Sequence, residues 1–175
     1  MSKKPSLKRL TSTSALRPFD CNDTDLNDFF YDDALNQLRE LLAVTYVLEN
    51  EDETVAYFSV LNDKISREDP KTQKRIRKLE KLIPHGKKYS SYPAVKIGRF
   101  AVHTKYQNQK TGRMLIDFIK AYFITKNKTG CRFITADAYE DAFGFYQRNG
   151  FEFLTESDKG EDTRLMYFDL TPFRK

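Results

Sequence analysis

Apolar residues recur three and four apart in some stretches of the chain and every second residue in others, and the alternation between these two periods lays out the predicted elements. Leu26, Phe29, Phe30, Ala34, Leu38, Leu41 and Leu42 keep the helical period behind the N-cap candidates Asp23-Thr24-Asp25, with a break near Tyr31-Asp32 that would make two short helices. A second helical stretch opens at Pro70, carries Ile76, Leu79, Leu82 and Ile83 on its apolar side, and stops at Pro84 and Gly86. Met114, Leu115, Phe118, Ile119, Tyr122 and Phe123 form a third stripe, and Asp141 to Arg148 a short helix closed by Asn149-Gly150. The strand candidates are Ser6 to Leu10, a hairpin of Val44 to Leu48 and Val55 to Leu61 turning over Glu49 to Glu53, Arg132 to Ala136, Phe151 to Leu154 and Arg164 to Leu170. The stretch from Ile97 to Arg113 reads as a strand, a polar turn and a helix start. In that strand Val95 and Ile97 hold one parity and Phe100 and Val102 the other, which predicts a bulge at Gly98-Arg99.

Composition narrows the class. At 175 residues, 39% hydrophobic and 14% aromatic, the chain is expected to be one domain, residues 1–175, with a real core rather than a disordered segment. No run of 18 apolar residues exists, and MSKKPSLKRL has basic residues without the apolar run and cleavage site of a secretory leader. The expected location is therefore cytoplasmic, with no membrane association. Cys21 and Cys131 are too few for a disulfide framework or a zinc site, and read as two free thiols.

Charge is unevenly spread within the net +5. Asp20 to Asp33 holds six Asp and no Lys or Arg, whereas Lys71 to Lys88 holds eight Lys or Arg and one Glu. A basic segment of this kind attracts phosphate chains or simply solvates a helix face, and charge alone leaves both readings open. The turn Gln107 to Arg113 is more specific. The first N–H groups of a helix lack internal partners, and the helix dipole favours an anion beside them.

IGRFAVHTKYQNQKTGR resembles the acyl-CoA-binding segment of the GNAT N-acetyltransferases, whose turn carries Gln/Arg-x-x-Gly-x-Gly/Ala; Gln107 and Gly112 fill its ends and Lys110 replaces the middle glycine. AFGFYQRNGF, Ala142 to Phe151, resembles the family's A-x-x-x-Y-x-x-x-G-F box. The resemblance implies a mixed α/β (α+β) GNAT fold: a mostly antiparallel central sheet, splayed at its middle and flanked by helices. It implies acetyl-CoA as co-substrate, with no metal. Its pyrophosphate would sit on Gln107, Asn108, Gln109, Lys110, Thr111, Gly112 and Arg113, with Gly112 allowing close approach and the Lys110 ammonium adding charge. Its pantetheine arm would pair with the main chain of Phe100, Ala101 and Val102, and the N–H of Ala101 or Val102 would serve the oxyanion. Tyr146 would protonate the CoA thiolate as general acid. Tyr139 stands where the family often has an Asn that contacts CoA.

A general base is not visible. Asp137, Glu140, Asp141 and Glu152 are near in sequence, and neither His85 nor His103 belongs to a triad. An enzyme without a base suits an amine already partly neutral: an α-amine with a pKa of about 8 rather than a lysine near 10.4. FDCNDTDLNDFF and TYVLENEDETVAYFSV resemble the toxin branch of the family, found in toxin–antitoxin pairs, whose best-known acceptor is the α-amine of aminoacyl-tRNA. The resemblance makes tRNA and an antitoxin protein the expected partners, with Arg75, Arg77, Lys78, Lys81, Lys87 and Lys88 on tRNA phosphates. The alternatives are acetylation of a small amine or a peptide or protein N-terminus with no toxin role, and a catalytically silent CoA-binding module; homodimer formation stays open.

Overall fold

The computed structural model describes residues 4–66, 72–81, 89–127 and 129–173. Pro70, Lys71, Leu82, Ile83, Pro84, His85, Gly86, Lys87 and Lys88, named above, lie outside the described residues. Strands β1 (Ser6–Arg9), β2 (Val44–Glu49), β3 (Thr54–Ser66), β4 (Ser91–Val102), β5 (Phe133–Tyr139), β6 (Glu152–Phe153) and β7 (Thr163–Asp169) form a sheet in the order β1-β2-β3-β4-β5-β7-β6. The helices are α1 (Thr24–Asp28), α2 (Ala34–Arg39), α3 (Gln73–Glu80), α4 (Thr111–Thr125) and α5 (Phe143–Arg148). This is the mixed α/β architecture expected of the chain. The residues group into two compact units, Met1–Leu61 with Ile97–Phe118 and Asn62–Lys96 with Ile119–Lys175, and β3, β4 and α4 contribute to both.

In the first unit, β2 pairs antiparallel with β1 from Ser6↔Glu49 to Arg9↔Tyr46 and with β3 from Val44↔Val60. Asp23 caps α1 by accepting the Leu26 N–H at 3.0 Å. At Tyr31-Asp32 there is no break: Phe29–Asp33 forms a π-helical turn leading into α2. The wider turn absorbs extra residues and keeps Phe29, Phe30 and Ala34 buried on one side. There Phe19, Phe29, Phe30 and Tyr57 pack ring on ring, with centroids 5.1 to 6.0 Å apart, and the Tyr57 hydroxyl donates to the Leu26 carbonyl at 2.7 Å. The stripe does not extend to Leu41 and Leu42, which are 90% and 64% exposed. Leu41 takes φ 59° and the Leu42 N–H returns to the Gln37 carbonyl, so the helix has closed in a Schellman turn before them.

In the second unit, β5 pairs with β7 over its whole length, Phe133↔Asp169 to Tyr139↔Thr163, and is longer than its apolar run. Ile76 and Leu79 of α3 are buried with Ile65, Tyr92, Phe133, Leu154 and Tyr167. Burial along β4 corrects the expected parity change. Val95, Ile97 and Ala101 are buried on one parity straight through Gly98 and Arg99, Phe100 and Val102 are half-buried, and the adjacent buried pair is Ala94-Val95. Apolar residues on both faces of a central strand imitate a shift of parity. In α4, which begins in the first unit, the buried residues are Leu115 and Ile116 there and Ile119 in the second unit, whereas Met114 is 51% exposed and leaves the stripe. Among the described residues no helix is long and apolar enough to cross a membrane.

Candidate functional site

The polar turn lies in the first unit. After β4, Thr104–Tyr106 makes a single 3₁₀ turn, capped by His103, whose Nδ1 accepts the Lys105 N–H at 3.2 Å. The Gln107 side chain is exposed but held in place: its Nε2 donates to the carbonyls of Val102 (3.0 Å) and Cys21 (3.3 Å), tying the turn to the strand end. Gln109 likewise donates to the Lys105 carbonyl at 2.7 Å. These two side chains build the turn, which leaves its main chain as the feature open to an anion. The first α4 bond runs from the Met114 N–H to the Lys110 carbonyl, so the N–H groups of Thr111, Gly112 and Arg113 precede the internal ladder. Arg113 is exposed beside them, with Asp117 3.8 Å from its Nε.

Asn108 and Lys110 both occupy the left-handed region, at φ 60° and 65°. Asn enters it readily, whereas a lysine there costs roughly 1–2 kcal/mol. The position where the family turn has glycine is thus one that needs the left-handed conformation, and Lys110 adopts it. Lys110→Gly is expected to leave the melting temperature nearly unchanged, because relief of strain and gain of unfolded-chain freedom are both about 1 kcal/mol. A melting temperature lower by many degrees would show that the lysine side chain holds the turn.

Tyr146 lies in the second unit, in α5, and the helix end explains its setting. The Phe151 N–H donates to the Tyr146 carbonyl at 3.0 Å and the Gly150 N–H to the Gln147 carbonyl at 2.9 Å, a Schellman closure with Gly150 at φ 82°. The accompanying hydrophobic contact is Tyr146 against Phe151, with ring centroids 5.2 Å apart. So Y-x-x-x-G-F is a helix end: the tyrosine is three residues from the terminus, the glycine reverses the chain, and the phenylalanine packs back on the tyrosine. A Cβ on Gly150 would also come within 3.2 Å of Phe168. Tyr146 is only 7% exposed, and among the described residues its hydroxyl makes no hydrogen bond. Burial pushes the phenol above its ordinary pKa, so it keeps its proton through the neutral range.

The carboxylates weighed as bases do other work. Asp137 pairs with Lys96 at 2.8 Å, and Glu152 with Arg75 at 3.1 Å. Glu140 and Asp141 are exposed on the turn before α5. His103 is buried, with Glu53 3.5 Å from its Nε2. Cys21 is buried, and burial moves the half-buried Cys131 thiol up to about 11, so neither is a nucleophile at neutral pH. Among the described residues no group of three His, Cys, Asp or Glu could hold a metal ion.

The basic candidates divide. Arg75 turns back onto its own unit: it bonds Glu152, donates to the Phe153 carbonyl at 2.9 Å and lies 5.6 Å from the Tyr167 ring centre. Arg77, Lys78 and Lys81 are exposed on the outer side of α3 and at its end. Lys87 and Lys88 lie outside the described residues. Arg75→Ala is therefore expected to cost about 1–2 kcal/mol of stability, read by denaturant titration. It should leave any nucleic-acid affinity alone; a stability unchanged within 0.3 kcal/mol would contradict its role as a tie.

Comparisons with known proteins give the family and the fold. Residues 42–153 match the acetyltransferase (GNAT) domain family. No curated protein matches the sequence. Among solved structures, the chain resembles AtaT complexed with acetyl-methionyl-tRNAfMet (23% identity, TM-score 0.76, 97% of each chain covered). It also resembles a tyrosine-to-phenylalanine variant of KacT (22% identity, TM-score 0.76, 97% of each chain). A third is the corresponding kind of AtaT variant bound to the C-terminus of the antitoxin AtaR and acetyl-CoA (20% identity, TM-score 0.74, 97% of this chain and 96% of that one).

Proposed function

The chain belongs to the GNAT acetyltransferase family, and from that premise we propose that it is a toxin that moves the acetyl group of acetyl-CoA onto the α-amine of an aminoacyl-tRNA. The observation that carries the catalytic part is Tyr146: a protonated phenol in a residue only 7% exposed, whose ring is packed and whose hydroxyl no described residue hydrogen-bonds. The amine attacks the thioester carbonyl, a C–N bond forms, and the tetrahedral oxyanion collapses with breakage of the C–S bond. Tyr146 gives its proton to the departing sulfur and is reprotonated from solvent, which also takes the proton lost by the amine. The N–H groups of Ala101 or Val102 serve the oxyanion.

The main-chain groups of Gln107 to Arg113 hold the pyrophosphate, with Lys110 and Arg113 adding charge, and Phe100, Ala101 and Val102 meet the amide-bearing arm. The single domain 1–175 and a cytoplasmic location belong to the same reading. The acceptor is argued from what the site does not offer and from the neighbours. Each nearby carboxylate is either paired with a cation or exposed, which suits an α-amine that needs little deprotonation. AtaT has been caught with acetyl-methionyl-tRNAfMet, and an AtaT variant with an antitoxin and acetyl-CoA; the same classes of partner are proposed here. The test is incubation with labelled acetyl-CoA and a panel of small amines, peptides, uncharged tRNA and aminoacyl-tRNA. Label on aminoacyl-tRNA alone is the expected result. Label on a peptide or small amine instead removes the toxin reading and keeps the acetyltransferase, and no thioester consumption with any acceptor removes turnover itself.

A further inference from the structure

The hairpin loop between β2 and β3 is built to grip the residues that lead into the polar turn. Asn50 accepts the N–H groups of Asp52 and Glu53 through Oδ1, each at 2.9 Å, and so presents both its own amide and the Glu53 carboxylate to one side. The Arg17 guanidinium bonds the Asn50 carbonyl from behind. On the presented side, Glu53 Oε1 accepts the Tyr106 hydroxyl at 2.9 Å, and that hydroxyl accepts Asn50 Nδ2 at 3.0 Å. Glu53 Oε2 pairs with Lys105 Nζ at 2.7 Å and stands 3.5 Å from His103 Nε2. With Nδ1 accepting the Lys105 N–H, the proton of a neutral His103 sits on Nε2, facing Glu53. One carboxylate, 14% exposed, thereby holds residues 103, 105 and 106, immediately before the main-chain groups of residues 107 to 113.

We infer that Glu53 is a positioning residue for phosphate recognition: it fixes the 3₁₀ turn Thr104–Tyr106 and its cap His103 so that the N–H groups that follow converge on the pyrophosphate of acetyl-CoA. The inference rests on the acetyltransferase reading above and adds a residue 54 positions upstream of Gln107, on a different element. It has a specific consequence. The effect of Glu53 must follow the phosphates of the donor rather than the acetyl transfer itself, because the carboxylate acts only through the turn.

The experiment uses the full chain with Glu53→Gln, which keeps shape and an acceptor for Tyr106 while removing the charge that pairs with Lys105, and Tyr106→Phe, which removes one hold. Acetyl transfer is measured with acetyl-CoA and with S-acetyl-pantetheine, which lacks every phosphate, and thermal melting is followed alongside. The expected result for Glu53→Gln is a five- to tenfold higher KM for acetyl-CoA, kcat within twofold, and unchanged kcat/KM with S-acetyl-pantetheine. Tyr106→Phe is expected to show the same pattern at smaller size. An unchanged KM for acetyl-CoA, or equal loss with both donors, overturns the inference while leaving the acetyltransferase standing. A wild-type protein that neither binds nor consumes acetyl-CoA overturns the parent reading and this one with it.

Discussion

Replacing Tyr146 with phenylalanine is expected to lower kcat by about a hundred- to a thousandfold while leaving acetyl-CoA affinity unchanged and the protein no less stable. The two halves of this expectation come from one feature. A hydroxyl that no described residue hydrogen-bonds contributes little to folding, so its removal is expected to be close to neutral. The ring, which packs on Phe145 and Phe151 and closes the end of α5, is retained. Burial raises the phenol above its usual pKa, which at first sight makes it a poorer acid for a thiolate near 8.5. A thiolate leaving into the same dry surroundings is raised too, so the mismatch shrinks, and the phenol never spends neutral pH ionised. Wild-type activity should therefore show no fall on the alkaline side that titrates with this group below pH 10. Stopped-flow turnover, acetyl-CoA titration and thermal melting on the pair of proteins read all three quantities. Full activity in the variant would take the hydroxyl out of the chemistry, and a lowered melting temperature would assign it a structural bond instead.

What the sequence carried to this point depends on the range of the interactions. The tyrosine, glycine and phenylalanine of the α5 end were legible because a Schellman closure is local: every bond in it joins residues at most five apart. The same holds for Asp23 as the α1 cap, and for Lys110, whose φ of 65° explains why a glycine is at home there. Periodicity failed at helix ends. Leu41, Leu42 and Met114 keep the right spacing but stand where the helix has closed or turned outward, and the π-turn at Phe29–Asp33 hid behind what looked like a break. The candidate site was least legible where a side chain's partner is distant in sequence. Glu53 meets Lys105 across 52 residues, and Arg75 meets Glu152 across 77, so no local pattern separates them from other surface charges. Glu53 shows the consequence for pH. Hydrogen bonds from Lys105 and Tyr106 hold its carboxyl below the usual range, so the tie is complete at neutral pH and is lost only as pH falls through that lowered value.

Reversing Arg77 and Lys78 together to glutamate is expected to weaken aminoacyl-tRNA binding on the order of ten- to a hundredfold at moderate salt while acetyl-CoA affinity stays constant. Both side chains are exposed in the last turn of α3, and among the described residues neither is held in an ion pair, unlike Arg75 two positions earlier. On a helix two residues are about 200° apart for positions 75 and 77, which is why one arginine packs inward on Tyr167 and its neighbour faces water. Contacts with phosphates act by releasing counterions, so the loss has a signature beyond its size: the slope of log K against log salt should flatten by about 2 for the pair. Positive charge in the last turn also suits the helix dipole, so reversal costs a few tenths of a kcal/mol of helix stability per residue, too little to unfold α3. Filter binding of aminoacyl-tRNA across a salt series, with acetyl-CoA calorimetry in parallel, measures both. A weaker complex with an unchanged salt slope would mean that α3 acts through shape, and equal loss of tRNA and acetyl-CoA binding would make these charges part of the fold rather than of an RNA-facing surface.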